Sequence, residues 1–265
     1  MVDSKRVAIV TGASSGIGLE FARALAQRGH NVLLVSRSTD RLEEIATELA
    51  ASHQVETYVC AVDLSKPGAG EVLFVFAREH RLSVHLLVNN AGFGLLGKFH
   101  ELDWGDQIQL LRLNVEALVE LTHRFLPEMI AEGSGGVINV GSMAGFTPGP
   151  LQSTYYASKA FVLSFSEGLS RELSGTGVTV TAVCPGPVQT GFQKRAGFSG
   201  GRKRINDVTA SEVAKVGLKG WASGRRVVIP GLINKMLAVL LKIAPRRAVA
   251  DSVYRIQVER MESRR

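Results

Sequence analysis

Short apolar segments alternate with longer helical segments along most of this chain, and this alternation constrains its fold more than any other feature. Residues 6–11 (RVAIVT) form an apolar run rich in β-branched residues, and residues 16–28 then place apolar side chains at helical spacing. Further strand-like runs lie at 32–35, 58–62, 86–89, 137–140, 178–183 and 226–230, and further helical patterns at 40–51, 71–79, 104–132 and 155–173, with Pro127 as a predicted break or kink. The alternation predicts an α/β fold, a doubly wound parallel sheet with helices on both faces.

The composition fits one domain over residues 1–265. Hydrophobic residues make up 45% of the chain, which excludes a disordered protein. Cys60 and Cys184 are too few for a disulfide scaffold, and they lack the CxxC spacing of structural zinc sites. We therefore expect reduced, cytoplasmic surroundings and no metal.

Positive charge is concentrated in the last quarter of the chain. Residues 194–265 contain 17 basic and 5 acidic residues, against 14 and 19 in the rest. Such an excess can attract an acidic substrate, a membrane surface or nucleic acid, or can form a solvated basic surface. Nucleic acid is the least favoured of these partners, because no zinc-finger spacing, aromatic RNA-binding motif or helix-turn-helix is recognisable.

A glycine-rich segment, residues 11–18 (TGASSGIG), follows the first strand and opens the first helix. Glycines in this position let the backbone turn tightly and approach a pyrophosphate at the helix N-terminus. The spacing is GxxxGxG rather than GxGxxG, and the Lys-Ser/Thr pair of a P-loop is missing. The segment predicts a nucleotide site, with a tight structural turn as the alternative.

The ends of the next strands carry further candidates for cofactor binding. The second strand is followed by Ser36 and Arg37 rather than by an acid, and a guanidinium suits a phosphate better than a ribose diol. Arg37 therefore favours NADP(H) over NAD(H), with an ordinary surface arginine as the alternative. Asp63 ends the third strand, where it could accept from an adenine amino group or cap the next segment. Residues 89–92 (NNAG) end the fourth strand and would let a cofactor pass closely.

Tyr155 and Lys159 lie one turn apart on one face of a predicted helix. A nearby cation favours the phenolate form of tyrosine, which makes the side chain a usable acid or base. Ser142 follows the fifth strand and could reach the same pocket.

Together these motifs resemble the short-chain dehydrogenase/reductase family over about residues 5–195. The matching segments, in the family's order and spacing, are TGASSGIG at 11–18, NNAG at 89–92, Asn114, Ser142, YYASK at 155–159 and PGPVQT at 185–190. The resemblance implies a seven-stranded Rossmann-like domain. Residues 5–190 would form its cofactor-binding and catalytic core, and residues 191–265 a substrate lid and an apolar, basic C-terminal segment.

The resemblance also implies roles for individual residues. Tyr155 would be the general acid/base, and Lys159 would bind the nicotinamide ribose and lower the pKa of Tyr155. Ser142 would hydrogen-bond the substrate oxygen, and Asn114 would hold a water in the proton relay. Tyr156 competes for the acid role but lacks Lys159 at the matching offset. The residues expected to line the cofactor are Gly12, Ser14, Ser15, Gly16, Ile17, Gly18, Arg37, Asp63, Leu64, Asn90, Ala91, Gly92, Pro185, Gly186, Val188 and Thr190, together with Tyr155 and Lys159.

The sequence departs from one pattern of the family. Ser14 stands where some NADP-preferring members carry a second basic residue, so that Arg37, with Arg41, would have to neutralise the 2′-phosphate. The implied activity is NADP(H)-dependent interconversion of a carbonyl and a secondary alcohol. The predicted lid, 191–204, is basic and contains Phe192 and Phe198, which favours a lipophilic ketone, 3-oxoacyl or steroid-like substrate.

Other functions fit less well. The residues around Ser142 do not form GxSxG and no histidine follows His123, which disfavours a serine hydrolase. The six histidines form no HExxH motif, which disfavours a metalloenzyme of that type. The alternative that stays open is a non-catalytic nucleotide-binding or membrane-associated regulatory protein on the same fold.

The segment 232–244 (LINKMLAVLLKIA) is apolar on more than one helical face but is shorter than the roughly 20 residues that span a bilayer. Such a helix must be buried or meet an apolar partner, as a subunit contact, a wall of the substrate pocket or a helix in a membrane interface. The resemblance implies a homodimer or homotetramer and favours the first two. Peripheral membrane contact through 232–247 is the alternative.

Overall fold

One parallel sheet organises the computed structural model, which describes residues 5–188 and 205–262. Its strands are β1 (Lys5–Thr11), β2 (Asn31–Ser36), β3 (Thr57–Ala61), β4 (Leu82–Asn89), β5 (Gly135–Val140), β6 (Val178–Val183) and β7 (Val227–Val228). Neighbouring strands are parallel throughout, in the order β3-β2-β1-β4-β5-β6-β7. The order reverses between β1 and β4, and the carboxyl edge at such a reversal is where open α/β sheets bind ligands.

Helices cover both faces of this sheet, which confirms the predicted doubly wound architecture. They are α1 (Gly16–Ala26), α2 (Thr39–His53), α3 (Ala69–Glu79), α4 (Trp104–Leu111), α5 (Ala117–Ala131), α6 (Ser153–Glu172), α7 (Ala210–Ala222), α8 (Leu232–Ile243) and α9 (Arg246–Glu262). One apolar core lies between the sheet and α1, α2 and α7, and a second between the sheet and α3, α5 and α6. Within the described residues, no helix is long and apolar enough to cross a bilayer.

The helical pattern predicted for 104–132 does not form one helix interrupted at Pro127. The interruption is a π-helical turn, Arg112–Glu116, and α5 runs through Pro127 to Ala131. The π turn contains Asn114, which is 1% exposed and turned into the protein. Single π turns commonly mark functional sites, because they redirect one side chain without ending the helix.

A chain of buried polar side chains joins β4 and β5 to the helices behind them. Asn89 donates through Nδ2 to Thr122 Oγ1 on α5 at 3.1 Å and to Asn139 Oδ1 on β5 at 2.9 Å. Asn139 in turn donates to Ser166 Oγ on α6 at 2.9 Å. These bonds fix α5 and α6 against the middle of the sheet.

We expect Asn139→Leu to lower the free energy of unfolding by about 1–3 kcal/mol, because it removes two buried hydrogen bonds and leaves the Asn89 amide with Thr122 and the Ser166 hydroxyl with the Val162 carbonyl as their remaining partners. Thr47→Ala is the control for an exposed side-chain hydrogen bond, since the Thr47 hydroxyl donates to the Glu43 carbonyl on the exposed face of α2. Urea unfolding curves measure the stability of both variants. Equal losses would show that the buried polar chain stabilises the fold no more than one exposed hydrogen bond does.

Candidate active site

The glycine-rich segment forms a tight turn between β1 and α1. Gly12 and Gly16 have φ angles of +67° and +57°, which favour glycine. A Cβ on Gly18 would overlap the Gly12 carbonyl oxygen, so this position also requires glycine. Ser15 precedes α1 without capping it through its side chain. The first amides of α1 therefore face a cradle of bare backbone, an arrangement that binds anions.

Two residues tie this turn to the end of β4. The Thr11 hydroxyl accepts hydrogen bonds from the backbone amides of Asn90 and Ala91 at 2.9 and 3.0 Å and donates to the Val88 carbonyl. The Asn90 side chain donates to the Thr11 carbonyl at 2.8 Å. Asn90 therefore braces the crevice between β1 and β4, and Ala91 and Gly92 continue along its edge.

The rim beyond β2 and β3 carries the charged candidates. Arg37 is exposed at the end of β2, whereas Arg41 pairs with Glu44 at 2.7 Å. The Asp63 Oδ1 atom accepts from the Ser65 amide at 3.0 Å and the Ser65 hydroxyl at 2.7 Å. Partial burial opposes ionisation of Asp63, but these bonds and the charge of Arg37 hold its pKa below the usual value. Asp63 thus caps the turn that follows β3, and its predicted contact with an adenine amino group stays a prediction.

Three of the four predicted catalytic side chains converge at the carboxyl end of β5. Tyr155 and Lys159 lie on the first two turns of α6, and burial of Lys159 against the sheet lets its Nζ donate to the Val140 carbonyl at 2.8 Å. That nitrogen lies 5.9 Å from the centroid of the Tyr155 ring. Ser142 follows β5 and is hydrogen-bonded to Tyr155. Its Oγ also accepts from the Ala144 amide at 3.1 Å, which fixes the rotamer.

Burial has the largest effect on the pKa values of Tyr155 and Lys159. It raises the pKa of Tyr155 to about 12, and the hydrogen bond with Ser142 offsets only part of that rise. It lowers the pKa of Lys159 to about 8. In the protein by itself, the pKa of Tyr155 therefore moves in the direction opposite to the lowering that the resemblance implies, because the phenol is desolvated and the ammonium group donates to a backbone carbonyl. Tyr155 consequently holds its proton at neutral pH.

Asn114 acts as a brace in this structure. Its Nδ2 donates to the Phe93 carbonyl at 3.0 Å and to Ser158 Oγ at 3.1 Å, and its Oδ1 accepts from the Phe93 amide at 3.1 Å. A Cβ on Gly92 would lie 2.9 Å from Asn114 Oδ1 and 3.6 Å from Lys159 Nζ. Asn114 thus joins the end of β4 to α6 and sets the space around Lys159; its implied role in holding a water stays a prediction.

Tyr156 is engaged elsewhere. Its hydroxyl accepts from Gln257 Nε2 at 3.3 Å, and the same amide donates to Gln152 Oε1 at 2.9 Å. Gln257 is 1% exposed and lies on α9, a helix that the sequence patterns did not predict. The two tyrosines therefore have different contacts: Tyr156 contacts α9, and Tyr155 contacts Ser142. The assignment of the acid role to Tyr155 stays a prediction.

Helix α8 forms a wall beside the catalytic group. It packs against the turn Met143–Phe146, which directly follows Ser142. Its buried Asn234 donates to the carbonyls of Asn206 and Pro230, both at 3.0 Å. A Cβ on Gly186 would overlap the Asn234 side chain, so packing against α8 explains this glycine.

The remaining predicted residues are divided between the carboxyl edge of the sheet and the part of the chain outside the described residues. Pro185 accepts through its carbonyl from the Met143 amide at 2.9 Å, and Val188 forms a bridge with Val208. Thr190 and the predicted lid 191–204 lie outside the described residues. Ser14 lies between β1 and α1, Ile17 lies in the first turn of α1, and Leu64 follows β3. Among the described residues, no three His, Cys, Asp or Glu side chains are grouped to hold a metal ion.

Comparisons with known proteins match this site to one family. The family model described as short chain dehydrogenase matches residues 6–198. Sulfoacetaldehyde reductase 2 of Chromohalobacter salexigens is 38% identical over 188 residues, which are 70% of this chain and 74% of that protein.

Solved structures extend the similarity to the whole fold. A structure from a study of 7β-hydroxysteroid dehydrogenase stereoselectivity superposes with a TM-score of 0.85 at 27% identity, covering 94% of this chain and 96% of that one. The short-chain dehydrogenase of Sphingobium yanoikuyae, solved in complex with NADPH, superposes with a TM-score of 0.79 at 32% identity, covering 91% and 97%. The chain therefore belongs to the short-chain dehydrogenase/reductase family of oxidoreductases.

Proposed function

We propose that this protein is an NADP(H)-dependent oxidoreductase that interconverts a carbonyl and a secondary alcohol. The observation that carries the proposal is the hydrogen-bonded pair Ser142–Tyr155 with Lys159 one turn away, placed on the sheet edge that also holds the glycine turn of β1. An intact proton donor next to a dinucleotide cradle is what carbonyl reduction requires. A non-catalytic nucleotide-binding protein would not need the donor.

The residues present fit a nicotinamide dinucleotide. Gly12, Gly16 and Gly18 leave backbone room for a pyrophosphate at the N-terminus of α1. Arg37, exposed at the end of β2, would bind the 2′-phosphate and thus favour NADP(H) over NAD(H). Because Arg41 is already paired with Glu44, we assign the main contact to Arg37. When bound, such a cofactor supplies or accepts the hydride.

The protein's own groups handle the proton and the substrate oxygen. In the direction of reduction, the Ser142 hydroxyl holds the carbonyl oxygen of the substrate next to the phenol of Tyr155. As the carbonyl carbon accepts a hydride, Tyr155 transfers its proton to that oxygen, giving the neutral alcohol. Lys159, whose ammonium lies beside the ring, stabilises the phenolate that remains until a proton returns.

For the substrate we propose a lipophilic ketone, such as a steroid or a 3-oxoacyl compound. Helix α8 forms a wall beside Ser142 and has the half-buried Leu237 and Leu241 on its inner side. The structural relative studied as a 7β-hydroxysteroid dehydrogenase supports a bulky substrate. NADPH oxidation with a panel of carbonyl compounds tests the assignment. Turnover of steroid or 3-oxoacyl ketones well above that of a small anionic aldehyde is expected, and the reverse order would contradict the substrate class.

We expect Tyr155→Phe to reduce carbonyl-dependent NADPH oxidation by at least about 100-fold, because the ring still packs but the transferable proton is gone. NADPH affinity, measured by fluorescence titration, should be nearly unchanged. Tyr156→Phe is the matched control and should retain most activity, since its hydroxyl contacts α9. If Tyr156→Phe were the inactive variant, the acid would be assigned to the wrong tyrosine.

The cofactor preference has its own test. Arg37→Asp should move the ratio of kcat/KM for NADPH over NADH towards NADH by at least about tenfold, because a carboxylate repels the 2′-phosphate and accepts from ribose hydroxyls. Arg41→Ala should change the ratio much less. A ratio unchanged in Arg37→Asp would overturn the assignment of NADP(H).

A further inference from the structure

Helix α8 carries most of its large apolar side chains on the outside. The α8 outer face consists of six residues that are between 38% and 79% exposed: Leu232, Ile233, Met236, Val239, Leu240 and Ile243. The side that packs on the protein holds the buried Asn234 and Ala238, with Leu237 and Leu241 half-buried. A helix with one face in water normally places its large apolar side chains on the opposite face, against the protein.

Cations border this face. Lys235 and Lys242 are exposed two turns apart on one flank of α8, and Arg246 and Arg247 open α9 directly after it. Residues 232–247 contain no Asp or Glu. The apolar face and its basic border therefore form a surface without a neutralising acid on the same segment.

We propose that the α8 outer face docks the protein on an anionic membrane surface. A helix of this length lies in the membrane plane, with its apolar side chains at the boundary of headgroups and acyl chains. The long stems of Lys235 and Lys242 allow their ammonium groups to reach the headgroup level, where anionic lipids neutralise them.

A second copy of the chain fits this surface less well. Pairing of the α8 outer face with itself about a twofold axis would bring the same segment of both copies together. The cations of one copy, Lys235, Lys242, Arg246 and Arg247, would then lie close to those of the other copy, with no carboxylate in 232–247 to offset the repulsion. An anionic bilayer removes that repulsion and covers the same apolar side chains.

Docking would bring the active site to the lipid surface. The inner side of α8 contacts the turn Met143–Phe146, which follows Ser142. In the docked protein, α8 alone would therefore lie between the membrane and this turn. If the proposed function holds, a lipophilic ketone dissolved in the bilayer would reach the site by the shortest route. Docking itself does not depend on that activity.

Co-sedimentation with vesicles tests the proposal without any substrate. We expect the full chain to pellet with vesicles of phosphatidylcholine and phosphatidylglycerol and to pellet much less with phosphatidylcholine alone. Met236→Glu/Leu240→Glu should lower the partition coefficient by at least about tenfold, because two carboxylates must leave water. Val72→Glu/Val75→Glu, which replaces exposed valines on α3, is the matched control and should bind like the wild type.

A lysine variant and two control measurements complete the test. Lys235→Gln/Lys242→Gln should weaken binding to the anionic vesicles by about 25-fold, because each lysine near such a surface contributes about a fivefold gain in affinity. Thermal unfolding and NADPH affinity should match the wild type in every variant, which separates lost docking from lost folding.

Three results would overturn the proposal. The first is a wild-type protein that stays in the supernatant with anionic vesicles. The second is an equal loss of binding in Val72→Glu/Val75→Glu and Met236→Glu/Leu240→Glu. The third is a smaller particle by light scattering for Met236→Glu/Leu240→Glu with unchanged vesicle binding, which would assign the face to a second copy. Absence of carbonyl turnover would contradict the proposed function but would not change the conclusion on membrane docking, which the vesicle experiment tests by itself.

Discussion

The hydrogen bonds between Thr11 and Asn90 are the interaction on which the site depends. They join the carboxyl ends of β1 and β4 at the one place where the strand order reverses. The glycine turn and the N-terminus of α1 are fixed on one side of this junction. On the other side, Asn114 connects the end of β4 to α6 and thereby to Lys159. The cradle for a dinucleotide and the proton donor thus share one rigid edge.

Burial gives the catalytic group its acid–base character. The same desolvation raises the pKa of Tyr155 and lowers that of Lys159, because both side chains lose water in their charged forms. The phenol is therefore ready to donate a proton, while forming its anion is costly until positive charge or a hydrogen-bonding substrate lies next to it. The hydrogen bond with Ser142 already acts in that direction. Under the proposed function, Tyr155 would release its proton only when a substrate oxygen is in place.

The sequence predicts the sheet well and identifies the candidate residues Ser142, Tyr155 and Lys159, which the structure brings together, because both depend on local patterns. Strands such as β1 and β6 combine apolar runs with glycine stops, and the Tyr155–Lys159 spacing holds on any helix. The bracing contacts are different, because they join residues far apart in the chain. The Gln257–Tyr156 bond crosses 101 residues and arises from α9, whose polar sequence lacks an apolar stripe. The π turn at Asn114 likewise depends on three-dimensional surroundings, since Asn114 bonds Phe93 and Ser158, which are far from it in the chain.

The central claim is that this site moves a hydride and a proton onto a carbonyl group. The most direct measurement is mass spectrometry of the alcohol formed with NADPH that is deuterated at both C4 positions of the nicotinamide. The account predicts an alcohol with one deuterium on the carbinol carbon and an exchangeable proton on its oxygen. NADPH that binds tightly but yields no labelled alcohol with any carbonyl of the panel would contradict it and indicate a binding protein on the same fold.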